Sequence, residues 1–75
     1  MNRFSPNDLI TLTVNGEAFS CTSPIFLNQL LEYLDFNVKT IIVEHNSKII
    51  DKKILNSIKL KSQDKIEIVT IVGGG

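Results

Sequence analysis

The chain has 75 residues, 43% of them hydrophobic and 21% charged, and its eight basic and eight acidic side chains cancel. That length makes one domain near the lower limit for folding without metals or disulfides, and ordering it costs on the order of 1.5 kcal/mol per residue, so almost every apolar side chain must be buried usefully. Neutrality without a basic stripe excludes electrostatic capture of nucleic-acid phosphates, and the lone cysteine, Cys21, excludes an internal disulfide or cysteine-based zinc cluster.

The single thiol also fits a reducing compartment. Met1 to Asp8 lacks the apolar core of a signal peptide, and no apolar run is long enough to cross a bilayer, so a soluble intracellular domain is expected with residues 1–8 as an N-terminal arm. Ile, Asn and Lys together supply a third of the residues, a bias that points to an AT-rich genome such as that of an organelle.

From Leu9 to Asn15 the residues alternate, with Ile10, Leu12 and Val14 on one face and Thr11 and Thr13 on the other, as in a half-buried strand. Asn15-Gly16 is the strongest short hairpin signal, because both central positions of a type I′ turn need positive φ. A two-residue turn pairs Val14 with Glu17, which puts Phe19 and Cys21 on the apolar face of the first strand and leaves Glu17 at the rim. Thr22-Ser23-Pro24 reads as a helix start, a capping hydroxyl followed by a first-turn proline. Leu27, Leu30, Leu31 and Leu34 then recur at helical spacing and make one apolar stripe ending near Phe36-Asn37.

Thr40 to Glu44 predicts a third strand, apolar on both faces, and Asn46-Ser47 a turn into a short strand over Lys48–Ile50. Asp51 to Leu60 reads as a helical turn followed by a brief extended piece, and Ser62 to Lys65 as a turn into a last strand over Ile66–Val72. The leucine stripe has only the sheet to cover it. The last strand has enough chain before it to cross over and lie parallel to the first. The expected fold class is therefore α+β: a ubiquitin-like β-grasp with a mixed four- to five-stranded sheet over residues 9–72 and one main helix packed on one face.

The chain is poor in the groups that enzymes use. His45, the only histidine, lies next to a turn and reads as a solvated loop residue. Cys21 points inward and reads as a small core hydrophobe. The carboxylates are scattered singly, with no evident pair for acid–base work or metal binding. Lys52, Lys53, Lys59 and Lys61 read as a solvated face. No catalytic residue, metal ligand or bound cofactor is expected, and a carrier or binding module is a better fit than an enzyme.

Gly73, Gly74 and Gly75 close the sequence directly after an apolar strand. Without Cβ atoms they form an expected flexible tail that threads channels closed to other residues. Three residues reach at most about 10 Å, enough to enter a cleft while the domain stays outside. The Gly75 carboxylate, with an ordinary pKa of roughly 3.3–3.7, is an anion at neutral pH. As such it is a poor electrophile, but it is a competent nucleophile toward the α-phosphate of ATP, and an acyl-adenylate would open its carbonyl to sulfur or an amine. This chain has no nucleotide site, so the activation, and the ATP it consumes, belong to a partner enzyme.

The Asn15-Gly16 hairpin, the leucine-striped helix, the stretch Ile42-Val-Glu-His-Asn-Ser-Lys-Ile-Ile50 and the closing Asp64-Lys-Ile-Glu-Ile-Val-Thr-Ile-Val-Gly-Gly-Gly75 resemble the thiamine-biosynthesis sulfur carriers, the ThiS family of ubiquitin-like β-grasp domains. The resemblance covers nearly everything after the first eight residues. It implies that a ThiF-like adenylyltransferase adenylates Gly75, that sulfur relayed from a cysteine desulfurase converts it to a thiocarboxylate (1-thioglycine), and that thiazole synthase ThiG takes the sulfur for the thiazole of thiamine. Gly74 and Gly75 match the family's strict terminal pair and Gly73 its less strict third position. A bacterial cytoplasm or a plastid stroma is the implied setting.

Two rival readings share the fold and the glycine ending: the small sulfur-carrier subunit of molybdopterin synthase, and a protein modifier conjugated to targets through Gly75. In every case three glycines offer a partner no side chains to read. Strand parity sends Ile66 and Ile68 to the core and leaves Glu67, Val69 and Ile71 on the opposite face. Val69 and Ile71 are therefore the expected docking residues at the root of the tail.

Overall fold

The computed structural model describes residues 8–71; residues 1–7 and 72–75, and with them most of the expected arm and the glycine tail, lie outside the described residues. The strands are β1 (Leu9–Val14), β2 (Glu17–Thr22), β3 (Ile41–His45), β4 (Lys48–Ile49) and β5 (Lys65–Thr70), with one α-helix, α1 (Leu27–Tyr33), between β2 and β3. They form a five-stranded sheet in the order β2-β1-β5-β3-β4. β1 and β5 pair in parallel and the other neighbours antiparallel. This is the expected β-grasp, with the last strand at the centre.

Local chemistry accounts for most of it. Asn15 (φ 51°) and Gly16 (φ 84°) take the positive φ values that a two-residue turn demands, and Val14 faces Glu17 across it. Asn46 (φ 52°) and Ser47 (φ 75°) make a second such turn between β3 and β4 without a glycine. Leu27, Leu30 and Leu31 are fully buried against Leu12, Ile41, Val43, Ile66 and Ile68. Leu34, Phe19 and Cys21 pack at the edge of that core. From below, Leu55 and Leu60 complete it; Leu55 sits in a 3-10 helix (Lys52–Ser57) capped by Asp51, whose Oδ1 accepts from the Lys53 N–H at 2.8 Å.

The helix boundaries differ from those the sequence predicts. Thr22 ends β2, and α1 begins only at Leu27, after a Phe26 N-cap in extended conformation. The cause is non-local. The Leu27 N–H donates to the Ile58 carbonyl (2.8 Å), the Leu60 N–H donates to the Ile25 carbonyl (2.9 Å), and Phe26 bridges Lys59, so the chain is held extended up to Phe26. Capping passes to Gln29, whose Oε1 accepts from the Phe26 N–H at 2.8 Å. At the other end Asp35 turns left-handed (φ 65°), donating to the Glu32 carbonyl while Phe36 donates to that of Leu31, both at 3.0 Å. This Schellman closure stops α1 at Tyr33, short of Phe36-Asn37. Asn37 then caps a 3-10 turn (Val38–Thr40), so β3 starts at Ile41.

The third strand is covered on one face only. Ile41 and Val43 are buried under the helix, whereas Ile42 stands 38% exposed on the open face of the sheet.

Candidate functional site

The expected docking residues Val69 and Ile71 lie on and just after β5, so the geometry of that strand sets how they are presented. Its first half is locked on both sides. The Thr13 N–H donates to the Asp64 carbonyl (3.0 Å) and the Asn15 N–H to the Ile66 carbonyl (2.8 Å), while β3 pairs with β5 from Ile41↔Thr70 to His45↔Ile66. β1 then turns away at the hairpin. One more rung follows, made by a side chain: Asn15 Oδ1 accepts from the Ile68 N–H at 2.7 Å. Beyond it only β3 flanks the strand, and the Ile71 N–H donates to the Thr40 carbonyl at 2.6 Å. Asn15 thus serves two ends, setting the turn and extending the parallel ladder. Its turn role is legible in the sequence; its bond to a residue 53 positions away is not.

Side chains follow strand parity. Ile66 and Ile68 are buried, while Val69 (57% exposed) and Ile71 (44%) face outward. Ile42 lies opposite Val69 across the strand pair, and Glu44 lies opposite Glu67. Ile42, Val69 and Ile71 therefore form one apolar patch at the root of the tail, bordered by two carboxylates. Such a patch loses free energy by facing water and regains it under a partner. Gly73, Gly74 and Gly75 lie outside the described residues.

A second polar cluster was not foreseen from the sequence, and it corrects the reading of His45 as a solvated loop residue. His45 is the last residue of β3, and its Nε2 lies 2.9 Å from Oδ2 of the buried Asp64. Asn46 Nδ2 donates to Asp64 Oδ1 (3.1 Å) and the Lys61 N–H to Oδ2 (2.8 Å). Asn46 also accepts at Oδ1 from the Lys65 N–H at 2.8 Å. Burial by itself pushes the Asp64 pKa up; hydrogen bonds from His45, Lys61 and Asn46, with the attraction of the His45 ring, outweigh it and leave the carboxyl below its ordinary value. The pair resembles part of a catalytic triad, yet it sits at the entry to β5, whereas Val69 and Ile71 lie at its far end. The six residues of β5 separate Asp64 from Ile71, seven residue steps or about 23 Å. The cluster is a bolt between the β3–β4 turn and the entry to β5.

Cys21 is half-buried, and burial raises its thiol pKa. It lines a groove of about 450 Å³ between β2 and α1 with Phe19, Pro24, Ile25, Gln29 and Tyr33. A thiol kept protonated is a weak nucleophile, in line with the reading of Cys21 as a small hydrophobe. Lys52, Lys53, Lys59 and Lys61 are all exposed. Among the described residues no three of His, Cys, Asp and Glu come close enough to hold a metal ion.

Known proteins resemble this chain in sequence and fold. The model of the ThiS family matches residues 12–75. The ycf40 protein of Porphyra purpurea is 46% identical over 69 residues, which are 92% of this chain and 97% of that one. A thiazole synthase of Paramagnetospirillum magneticum is 31% identical over 64 residues, 85% of this chain but only 20% of that protein. Among solved structures, the thiamine biosynthesis protein ThiS of Geobacter metallireducens superposes with a TM-score of 0.77 at 25% identity, covering 88% of this chain and all of that one.

Proposed function

The chain belongs to the ThiS family of small sulfur carriers, and from that premise we propose that it delivers sulfur for the thiazole ring of thiamine as a thiocarboxylate on Gly75. In this reading the Gly75 carboxylate attacks the α-phosphate of ATP in the site of a ThiF-like adenylyltransferase, expelling pyrophosphate. The outer sulfur of a persulfide, relayed from a cysteine desulfurase, then displaces AMP from the carbonyl carbon, and a thiol reductant cleaves the resulting acyl disulfide to leave the thiocarboxylate. Thiazole synthase takes up the sulfur. The domain supplies no catalytic group; it supplies an acyl terminus on a rigid handle.

The observation that carries the proposal is the family match, which runs through to Gly75. The choice of thiazole synthase as acceptor draws on the Paramagnetospirillum magneticum protein of that name, one fifth of which matches most of this chain. A carrier and its acceptor that share one polypeptide are held at high effective concentration, a sensible arrangement for two parts of one reaction. Val69 and Ile71 serve as the docking residues, with Ile42 completing the patch. The Ile, Asn and Lys bias and the likeness to ycf40 of Porphyra purpurea favour a plastid stroma as the setting.

Intact-mass spectrometry after incubation with ATP, the ThiF-like enzyme and a sulfur donor tests the proposal. Replacement of one oxygen by sulfur at Gly75 is the expected outcome. An unchanged mass beside an enzyme that charges its own carrier refutes it, and covalent adducts to other proteins would favour the modifier reading.

A further inference from the structure

The last described residues of β5 have one paired flank and one open flank. Main-chain groups of Lys65, Glu67, Val69 and Ile71 point toward β3, as the bonds of Lys65 to Asn46 and of Ile71 to Thr40 show. Those of Ile66, Ile68 and Thr70 therefore point toward β1. Asn15 satisfies the Ile66 carbonyl with its N–H and the Ile68 N–H with Oδ1. There the supply stops, because Gly16 and Glu17 lead back into β2. The Ile68 carbonyl and the N–H and carbonyl of Thr70 have no partner among the described residues, and Thr70 is exposed.

From this geometry we infer that the open flank of β5 at Thr70 is a docking edge for an extended segment of the enzyme that activates Gly75, added as a parallel or antiparallel strand where β1 turned away. The inference rests on the carrier reading for the identity of that enzyme. Unpaired strand groups are directional, and an extended backbone is the ligand that satisfies them in sequence. Three groups are too few to hold a second copy of this chain through main-chain bonds alone. The incoming segment needs a further contact, and the apolar patch of Ile42, Val69 and Ile71 lies on the adjoining face. The segment that fits has an apolar side chain on that face and free main-chain groups along its edge. Strand addition at Thr70 aligns the following residues with the enzyme's cleft and provides the register that three glycines cannot.

Amide hydrogen exchange on the full chain, alone and mixed with the adenylating enzyme, reads this directly. In the free protein the Thr70 amide should exchange at least about tenfold faster than those of Val69 and Ile71, which β3 holds. In the complex it should slow by at least about tenfold. A chemically synthesised chain with an ester in place of the Thr70 amide loses that donor, at the cost of a weaker acceptor at the Val69 carbonyl facing β3, and should raise the KM of adenylation roughly two- to tenfold, the worth of one hydrogen bond, once the folded fraction is matched to the parent's. Protection of Thr70 in the isolated protein overturns the inference. So does efficient adenylation with the Thr70 amide still exchanging freely, a result that leaves the carrier reading intact. Failure of the mass test strikes the carrier reading itself and, with it, the partner named here.

Discussion

Substitutions at Asn15 separate its two roles, because each replacement keeps a different part of the residue. Asp retains an acceptor at the Oδ1 position and tolerates left-handed backbone; Gly retains only the backbone freedom; Ala retains neither. The Ile68 N–H at stake belongs to a residue only 7% exposed, and its bond to Asn15 is 2.7 Å long. Leaving a buried donor unpaired costs about 1–3 kcal/mol. A left-handed conformation (φ 51° here) adds about 1–2 kcal/mol for Ala. Asn15→Asp should therefore stay within about 1 kcal/mol of the parent. Asn15→Gly should lose about 1–3 kcal/mol and Asn15→Ala about 2–5 kcal/mol. For a domain of this size total stability is about 4–11 kcal/mol, so the Ala variant sits near the edge of folding. Urea denaturation with an m-value of about 1 kcal/mol/M would move the midpoint by about 1–3 M for Gly. Exchange at Ile68 should accelerate in the Gly variant while that at Leu12, deep in β1, follows global stability. A Gly variant as stable as the parent, with Ile68 still protected, would refute the claim that this side chain is a rung of the sheet.

Asp64 gives an acid-limb signature. Its folded pKa lies below the ordinary value, so between the two values the native form binds fewer protons than the unfolded one. The stabilisation is thus complete above the usual Asp range near about 4 and is lost as pH falls through it. Asp64→Asn should cost about 1–3 kcal/mol at pH 7 and flatten the pH dependence of the thermal midpoint below about pH 4; an unchanged acid limb contradicts the bolt described for this cluster. Val69→Ala combined with Ile71→Ala should change folding stability by less than about 0.5 kcal/mol, both side chains being exposed. The same pair should weaken docking by about 1–2 kcal/mol, a five- to thirtyfold rise in the KM of adenylation, and an unaltered KM removes the patch from the recognition surface.

What the sequence revealed divides along a physical line. Alternation at Ile10, Leu12 and Val14, the Asn15-Gly16 turn, the leucine spacing of α1 and the parity of β5 are local patterns, and each reappears in the structure at the same residues. The helix start is misread because Thr22-Ser23-Pro24 carries a sound local signal that loses to backbone pairing with residues 58–60, more than thirty positions away. His45 and Asp64 escaped notice for a related reason: a carboxylate 19 residues from a histidine looks solitary until the sheet sets β3 beside β5. A residual clue existed in Asn46, since a non-glycine turn with positive φ benefits from side-chain anchoring of the kind Asn46 finds on Asp64 and Lys65.

In the carrier reading, a glycine terminus recognised by enzymes places opposing demands on the strand that carries it. Specificity has to reside in the body, because Gly73, Gly74 and Gly75 have no side chains; alignment has to survive the step from body to tail, because a near-attack geometry tolerates little misplacement. β5 meets both by changing its environment along its length. At Ile66 it is enclosed on both flanks and buried, at Ile68 a side chain replaces the departing β1, and at Thr70 one flank has no partner among the described residues while Ile71 is still bonded to Thr40. The position of the β1–β2 hairpin sets where that change occurs. Lengthening the hairpin by one pair of residues on each strand would extend β1 along β5 and close the flank at Thr70, stabilising the free domain while removing the edge a partner strand needs. The shortness of β1, which looks like a loss of sheet, is on this inference what keeps the Thr70 edge available to a partner strand.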